Sequence, residues 1–296
     1  MNNTLKLILK IIVSGFAFWW VVRQIDMVSV WERISSAQWW WILTALLTYV
    51  ISQILSALRV NSLYKTVPLH LPTSENTKLY WLGMFYNFFL PGGVGGDGYK
   101  VYYLHKYYDS KVKNIISLLL CDRISGLAAI CIYLLLFTSF FIEDLPLPYR
   151  EYLFLFVPAI FLGFYIAVRF LNKKALPAQL RVMAYSLLIQ GLQMATAMLI
   201  FIAIGGDIRT TDNYMFLFFL SSIASAIPIS FGGIGLREMT FIIGSEYLLV
   251  DNDISVALSV LFYTTSLVSS IPGVVYAIRP SLINKGRHVP DNTNPI

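Results

Sequence analysis

Two short stretches of this sequence place a cation at the same offset from a glycine-rich turn. Residues 90–100 read LPGGVGGDGYK and residues 227–237 read IPISFGGIGLR. Superimposed, they align Pro91 with Pro228, Gly95 and Gly96 with Gly232 and Gly233, Gly98 with Gly235, and Lys100 with Arg237. Asp97 in the first stretch and Glu238 just after the second add a carboxylate to each. A helix that starts after such a turn offers free N–H groups and a positive dipole end, which suit a phosphate. Lys100 and Arg237 would add charge, Arg237 with a planar fork. The structural alternative for the same residues is that the glycines serve close packing and the charges cap helices.

A second pair of ionisable residues, Asp122 and Arg123, lies inside a long apolar run. Roughly 12–14 Å into a span, charges are costly unless paired or wetted, which makes them functional candidates. Adjacent residues point about 100° apart on a helix, so the two are not each other's partner. Their alternative role is to hold a hairpin backbone in place. Arg59, at the end of a span, is expected to snorkel to the interface. Asn87, Gln190 and Gln193 either line a polar path or hydrogen-bond helices together. His70, His105 and His288 are scattered, and no nucleophile pair or metal-ligand spacing occurs, so no catalytic residue, metal or cofactor is assigned. Cys121 and Cys131 stand ten positions apart on one expected helix, too far to bridge.

The elements that must position these groups follow from composition. Of 296 residues, 57% are hydrophobic and only 13% charged, with a mean hydropathy of +0.67. That describes an all-α, polytopic membrane protein rather than a soluble domain. The net charge of +6 does not indicate nucleic acid, because the basic residues sit in short loops between apolar runs. Six full spans are expected: Leu5–Val22, Trp39–Leu58, Asn114–Ile142, Tyr152–Leu171, Val182–Ile204 and Ile254–Ile278, the last kinked at Pro272. Trp31 and Trp39–Trp41 mark an interface. Residues 1–280 form one membrane domain, and residues 281–296 a polar, disordered cytoplasmic tail.

Each glycine motif is preceded by an apolar arm too short to cross a bilayer: Leu79–Leu90 and Tyr214–Ile227. A crossing takes about 20 residues. Proline removes a donor and glycine allows positive φ, so each helix should break at its motif and return. Placing both termini in the cytoplasm puts most of the 22 Lys and Arg residues on that side. Three spans then separate the two re-entrant hairpins, which must enter from opposite faces. Pseudo-repeats over about 1–142 and 152–278 are therefore inverted, each reading span, span, hairpin, span. A competing arrangement, in which both hairpins cross fully, would put Lys100 and Lys106 in lipid.

Four stretches resemble the lysylphosphatidylglycerol synthase transmembrane-domain family, whose members are also called flippase-like. They are Ala57-Leu58-Arg59, Asn87–Lys100, Asp122–Leu127 (DRISGL) and Gly232–Glu238 (GGIGLRE). Where the family often has Glu before the span Arg, this chain has Asp122. The resemblance implies an inner-membrane protein that handles a lipid with an anionic or modified head group. Two-part members add a soluble domain that transfers an aminoacyl group from tRNA; with the chain ending at Ile296, that chemistry is not expected of it alone. The first expectation is a transporter moving a phosphate-bearing lipid, an aminoacylated or anionic phospholipid or a polyprenyl-phosphate intermediate. Lys100, Arg123 and Arg237 would hold the phosphate, and Asp97, Asp122 and Glu238 would orient them. The alternative is the membrane subunit of a head-group-modifying enzyme. Partners are then an anionic lipid and a lipid synthase or glycosyltransferase.

Overall fold

The computed structural model describes residues 27–69, 71–89, 95–142, 149–226 and 235–283. The expected first span Leu5–Val22, the turn residues Pro91, Pro228, Gly232 and Gly233, and almost all of the tail lie outside them. Among the described residues the chain is helical and strand-free. Helix α1 (Met27–Ser35) precedes α2 (Trp39–Tyr64), followed by α3 (Thr73–Phe89) and α4 (Gly95–Tyr108). Then come α5 (Val112–Phe140), α6 (Val157–Leu171), α7 (Gln179–Ala203), α8 (Thr211–Ala226), α9 (Leu236–Leu248), α10 (Asn252–Ser270) and α11 (Pro272–Ile278).

Five segments are long and apolar enough to span a bilayer: Trp39–Tyr64, Val112–Phe140, Arg150–Leu171, Lys173–Ala203 and Asn252–Ile278. Each corresponds to an expected span. The protein is a polytopic, all-α membrane protein. Its lipid-facing surface is apolar because hydrocarbon demands it, as in the exposed Leu43, Leu47, Ile51 and Ile54 of α2. Pro272 supplies no N–H, and the helix is interrupted at Ile271 where α10 gives way to α11. Gly273 then packs on α3: a Cβ there would come within 2.4 Å of the Trp81 carbonyl oxygen.

Both glycine motifs interrupt a helix, and the pieces fold back. In the first, Glu75 meets Tyr103, Tyr80 meets Lys100 and Gly83 meets Gly96, so α3 and α4 run antiparallel. In the second, Leu217 meets Gly244 and Ser225 meets Arg237, which makes α8 and α9 antiparallel too. The first arm starts earlier than expected, at Thr73 rather than Leu79, because Ser74–Lys78 prolong the helix on its polar end.

A further difference concerns the glycines. Gly95, Gly96 and Gly98 belong to the first turn of α4 and none has positive φ; of the motif glycines described, only Gly235 does, at φ 85° as the N-cap of α9. The first motif therefore uses its glycine for proximity. A Cβ on Gly96 would lie 2.0 Å from the Gly83 carbonyl oxygen, whereas one on Gly98 would meet nothing within 4 Å.

Each hairpin is seated in its own apolar cluster. The first packs Leu79, Leu82, Tyr103 and Leu104 with Tyr64 of α2 and Ile115 and Leu118 of α5. The second packs Phe218, Phe219 and Phe241 with Phe201 of α7 and Phe262 of α10. Tyr80 of α3 touches both clusters. Between them α2 lies along α7, the most extensive helix pairing in the structure. Helix α5, which follows the first hairpin, packs on α8 of the second; α10, which follows the second, packs on α3 of the first.

Candidate functional site

The tip of the first hairpin is closed by Asn87, whose Oδ1 accepts a 2.9 Å hydrogen bond from the Gly96 N–H. One of the free donors expected at the start of α4 is thus already satisfied within the hairpin. The next residue, Asp97, projects from the same turn and binds two cations. Lys100 Nζ lies 3.2 Å from its Oδ1, and Arg123 of α5 donates from Nε to Oδ2 at 2.7 Å, with Nη2 at 2.6 Å. Lys100 is buried and sits 4.6 Å above the centre of the Tyr80 ring, a cation–π contact. Arg123 is the open member of the triad, its side chain 42% exposed.

Asp122 turns away from its neighbour, as the helical offset requires. It takes a forked pair from Arg59 of α2, Nε to Oδ1 at 2.8 Å and Nη2 to Oδ2 at 3.1 Å. Arg59 Nη1 also donates to Ser186 Oγ of α7 at 3.0 Å, and that hydroxyl donates to Ser125 Oγ at 2.9 Å. Arg59 does not snorkel: it is buried, and it ties α2, α5 and α7 together. An Arg at a span end has the same sequence signature whether it reaches outward or inward. The available signal was its place in the Ala57-Leu58-Arg59 stretch of the resemblance.

The second hairpin is built differently. Glu238, in the first turn of α9, accepts from the Gly235 N–H at 2.7 Å with Oε2 and from Ser259 of α10 at 2.7 Å with Oε1. Arg237 donates to Ser225 Oγ at 3.3 Å and lies over Phe262, 4.8 Å from the ring centre, with Phe218 at 5.9 Å. Among the described residues no carboxylate lies within ion-pair distance of Arg237. In both hairpins, then, the following span donates to a carboxylate in the first turn of the second arm: Arg123 to Asp97 and Ser259 to Glu238.

Asn87, Gly95, Gly96, Asp97, Lys100 and Arg123 thus assemble at one hairpin, with Asp122 beside them on α5. Arg237, Glu238 and Gly235 assemble at the other. Aromatic side chains join the two groups, with Phe88 of α3 at 5.4 Å from Tyr263 of α10 and Tyr49 of α2 at 5.6 Å from Phe262. Gly98 is exposed and contributes no contact. Gln190 is buried on α7, and among the described residues its Oε1 has no hydrogen-bond partner, so that oxygen does not tie helices together. Tyr80, Ser186 and Ser259 were missed, because single hydroxyl residues in apolar runs carry no distinguishing pattern.

Two interrupted-helix hairpins, each carrying buried or half-buried charge among long apolar helices, define a multi-pass membrane domain. Residues 7–273 match the Lysylphosphatidylglycerol synthase TM region, and the chain belongs to that family. It is accordingly a membrane domain related to lipid modification or transport. A comparison with curated proteins finds no match.

Proposed function

We propose that the protein moves a phosphate-bearing lipid across the inner membrane, with the head group held between the two hairpins. The observation that carries this is the convergence of cations on the two hairpins. Lys100 and Arg123 both bind the carboxylate of Asp97, while among the described residues Arg237 meets the Phe262 and Phe218 rings and the Ser225 hydroxyl. Glu238 is occupied by Ser259 and the Gly235 N–H. Positive charge in an apolar setting is expensive unless an anion completes it, and a lipid phosphate arrives with its tails already in the bilayer.

The arms support a re-entrant reading. At 1.5 Å per residue, α4 and α9 are about 21 and 20 Å long, short of a hydrocarbon core of about 30 Å. The exchange of contacts between halves, α5 on α8 and α10 on α3, supports two inverted repeats that rock about α2 and α7 to alternate access. The basic loops favour a cytoplasmic location for both termini. No Walker sequence occurs, so an ion gradient or a partner supplies any energy.

The test is reconstitution into phosphatidylcholine vesicles containing fluorescent phosphatidylglycerol, with dithionite quenching of the outer leaflet. Wild-type protein is expected to expose inner-leaflet lipid, and Lys100→Gln or Arg237→Gln to suppress it. Equal quenching with and without protein, or full activity in both variants, rejects the reading.

A further inference from the structure

A continuous run of side chains connects Lys100 in one hairpin to Arg237 in the other. The Tyr80 ring lies beneath Lys100 Nζ, and its hydroxyl donates to Gln53 Oε1 of α2 at 3.3 Å. One turn earlier on the same face of α2 is Tyr49, edge-on to Phe262 at 5.6 Å. Phe262 is the ring on which the Arg237 guanidinium rests. Buried hydroxyls flank this line: Ser52 and Ser56 on α2, Ser266 and Ser269 on α10.

Polar side chains in a span usually serve as links between helices. Gln53 links α2 to α3 only through its oxygen, at 3.3 Å from the Tyr80 hydroxyl; its amide nitrogen donates at 3.2 Å to Ser52, the preceding residue of its own helix. Among the described residues Tyr80 alone packs against both apolar clusters, so it stands where the two hairpin compartments meet. The groups in between, two phenols and an amide, each carry an O–H or N–H donor that an acceptor-rich anion can take.

We propose that Tyr80, Gln53 and Tyr49 form the track along which the phosphate of the head group passes between Lys100 and Arg237. This rests on the translocation reading above and adds to it that Gln53 and Tyr49 of α2, together with Tyr80 of the first hairpin, recognise the head group in transit. Tyr80 and Tyr49 act as positioning residues: their hydroxyls donate to phosphate oxygens while it is away from either cation. Removing a hydrogen bond to a charged group is worth about tenfold or more.

The experiment uses the same vesicles and measures initial rate against the mole fraction of fluorescent phosphatidylglycerol. The double variant Tyr49→Phe/Tyr80→Phe keeps both rings, and with them the contacts to Phe262 and Lys100. It is expected to lower the maximal rate about tenfold and leave the half-saturating lipid fraction unchanged. Gln53→Glu, which puts a negative charge on the track, should lower the rate further, and Gln53→Leu should resemble the double variant. Lys100→Gln and Arg237→Gln should instead raise the half-saturating fraction. Wild-type rates in the double variant and in Gln53→Leu, with Lys100→Gln and Arg237→Gln impaired, would overturn the track and leave the transport function standing. No movement of lipid by the wild-type protein would remove the function itself and the track with it.

Discussion

Gly96 and Gly83 face each other across the first hairpin with no room for a side chain, a Cβ on Gly96 falling 2.0 Å from the Gly83 carbonyl oxygen. The obstacle is backbone and cannot swing aside. Gly96→Ala is therefore expected to lower stability by about 3 kcal/mol, at the upper end of overpacking costs. Gly98→Ala, in the same turn with open space around it, should change stability by no more than about 0.5–1 kcal/mol, toward greater stability. Thermal melting of the two purified variants in detergent checks the contrast.

Arg59 and Asp122 are a buried pair, their side chains 9% and 14% exposed. Asp122→Leu alone leaves the guanidinium uncompensated and is expected to cost about 3–5 kcal/mol, as is Arg59→Met alone. The double variant Arg59→Met/Asp122→Leu should recover most of that loss, since neither charge is then stranded. Additive losses in a double-mutant cycle would contradict the pairing.

Arg123 poses the opposite case. Its pair with Asp97 is half open, and exposed pairs are worth about 0–1 kcal/mol. Arg123→Gln should melt within about 1 kcal/mol of the wild type and yet lose lipid movement in vesicles. A loss of stability as large as that of Asp122→Leu would assign Arg123 to holding the hairpin.

In the second hairpin Gly244 packs against Leu217, whose Cδ2 would lie 2.2 Å from an added Cβ. Here the obstacle is the end of a flexible side chain. Gly244→Ala is expected to cost about 1 kcal/mol, at the low end of overpacking, and the double variant Gly244→Ala/Leu217→Val should regain part of it. Melting curves of the single and double variants decide this.

The spans were readable because hydrocarbon imposes a length and a composition on any helix that crosses it; all five described ones overlap their expected spans, although Trp39–Tyr64 runs past the expected end at Leu58 and Lys173–Ala203 begins well before the expected Val182. The breaks were readable for a related reason, since proline and clustered glycine interrupt an apolar run. What glycine does at each break was not readable. The same Gly-Gly-x-Gly spacing serves helix-to-helix proximity at Gly96 and a left-handed cap at Gly235. Partner choice was equally hidden. The separation of Asp122 from Arg123 followed from helical geometry, but Arg59, 63 positions away in sequence, can be matched to Asp122 only once α2 and α5 are packed.

The shared carboxylate of Asp97 makes the first hairpin a site with a built-in rival. Any arriving anion must displace Asp97 from Lys100 or Arg123, so its affinity is a difference between two anions and not the full attraction of two cations. On the proposed transport function, such a site would hold its cargo loosely and let it depart, and Asp97 would close it again without help.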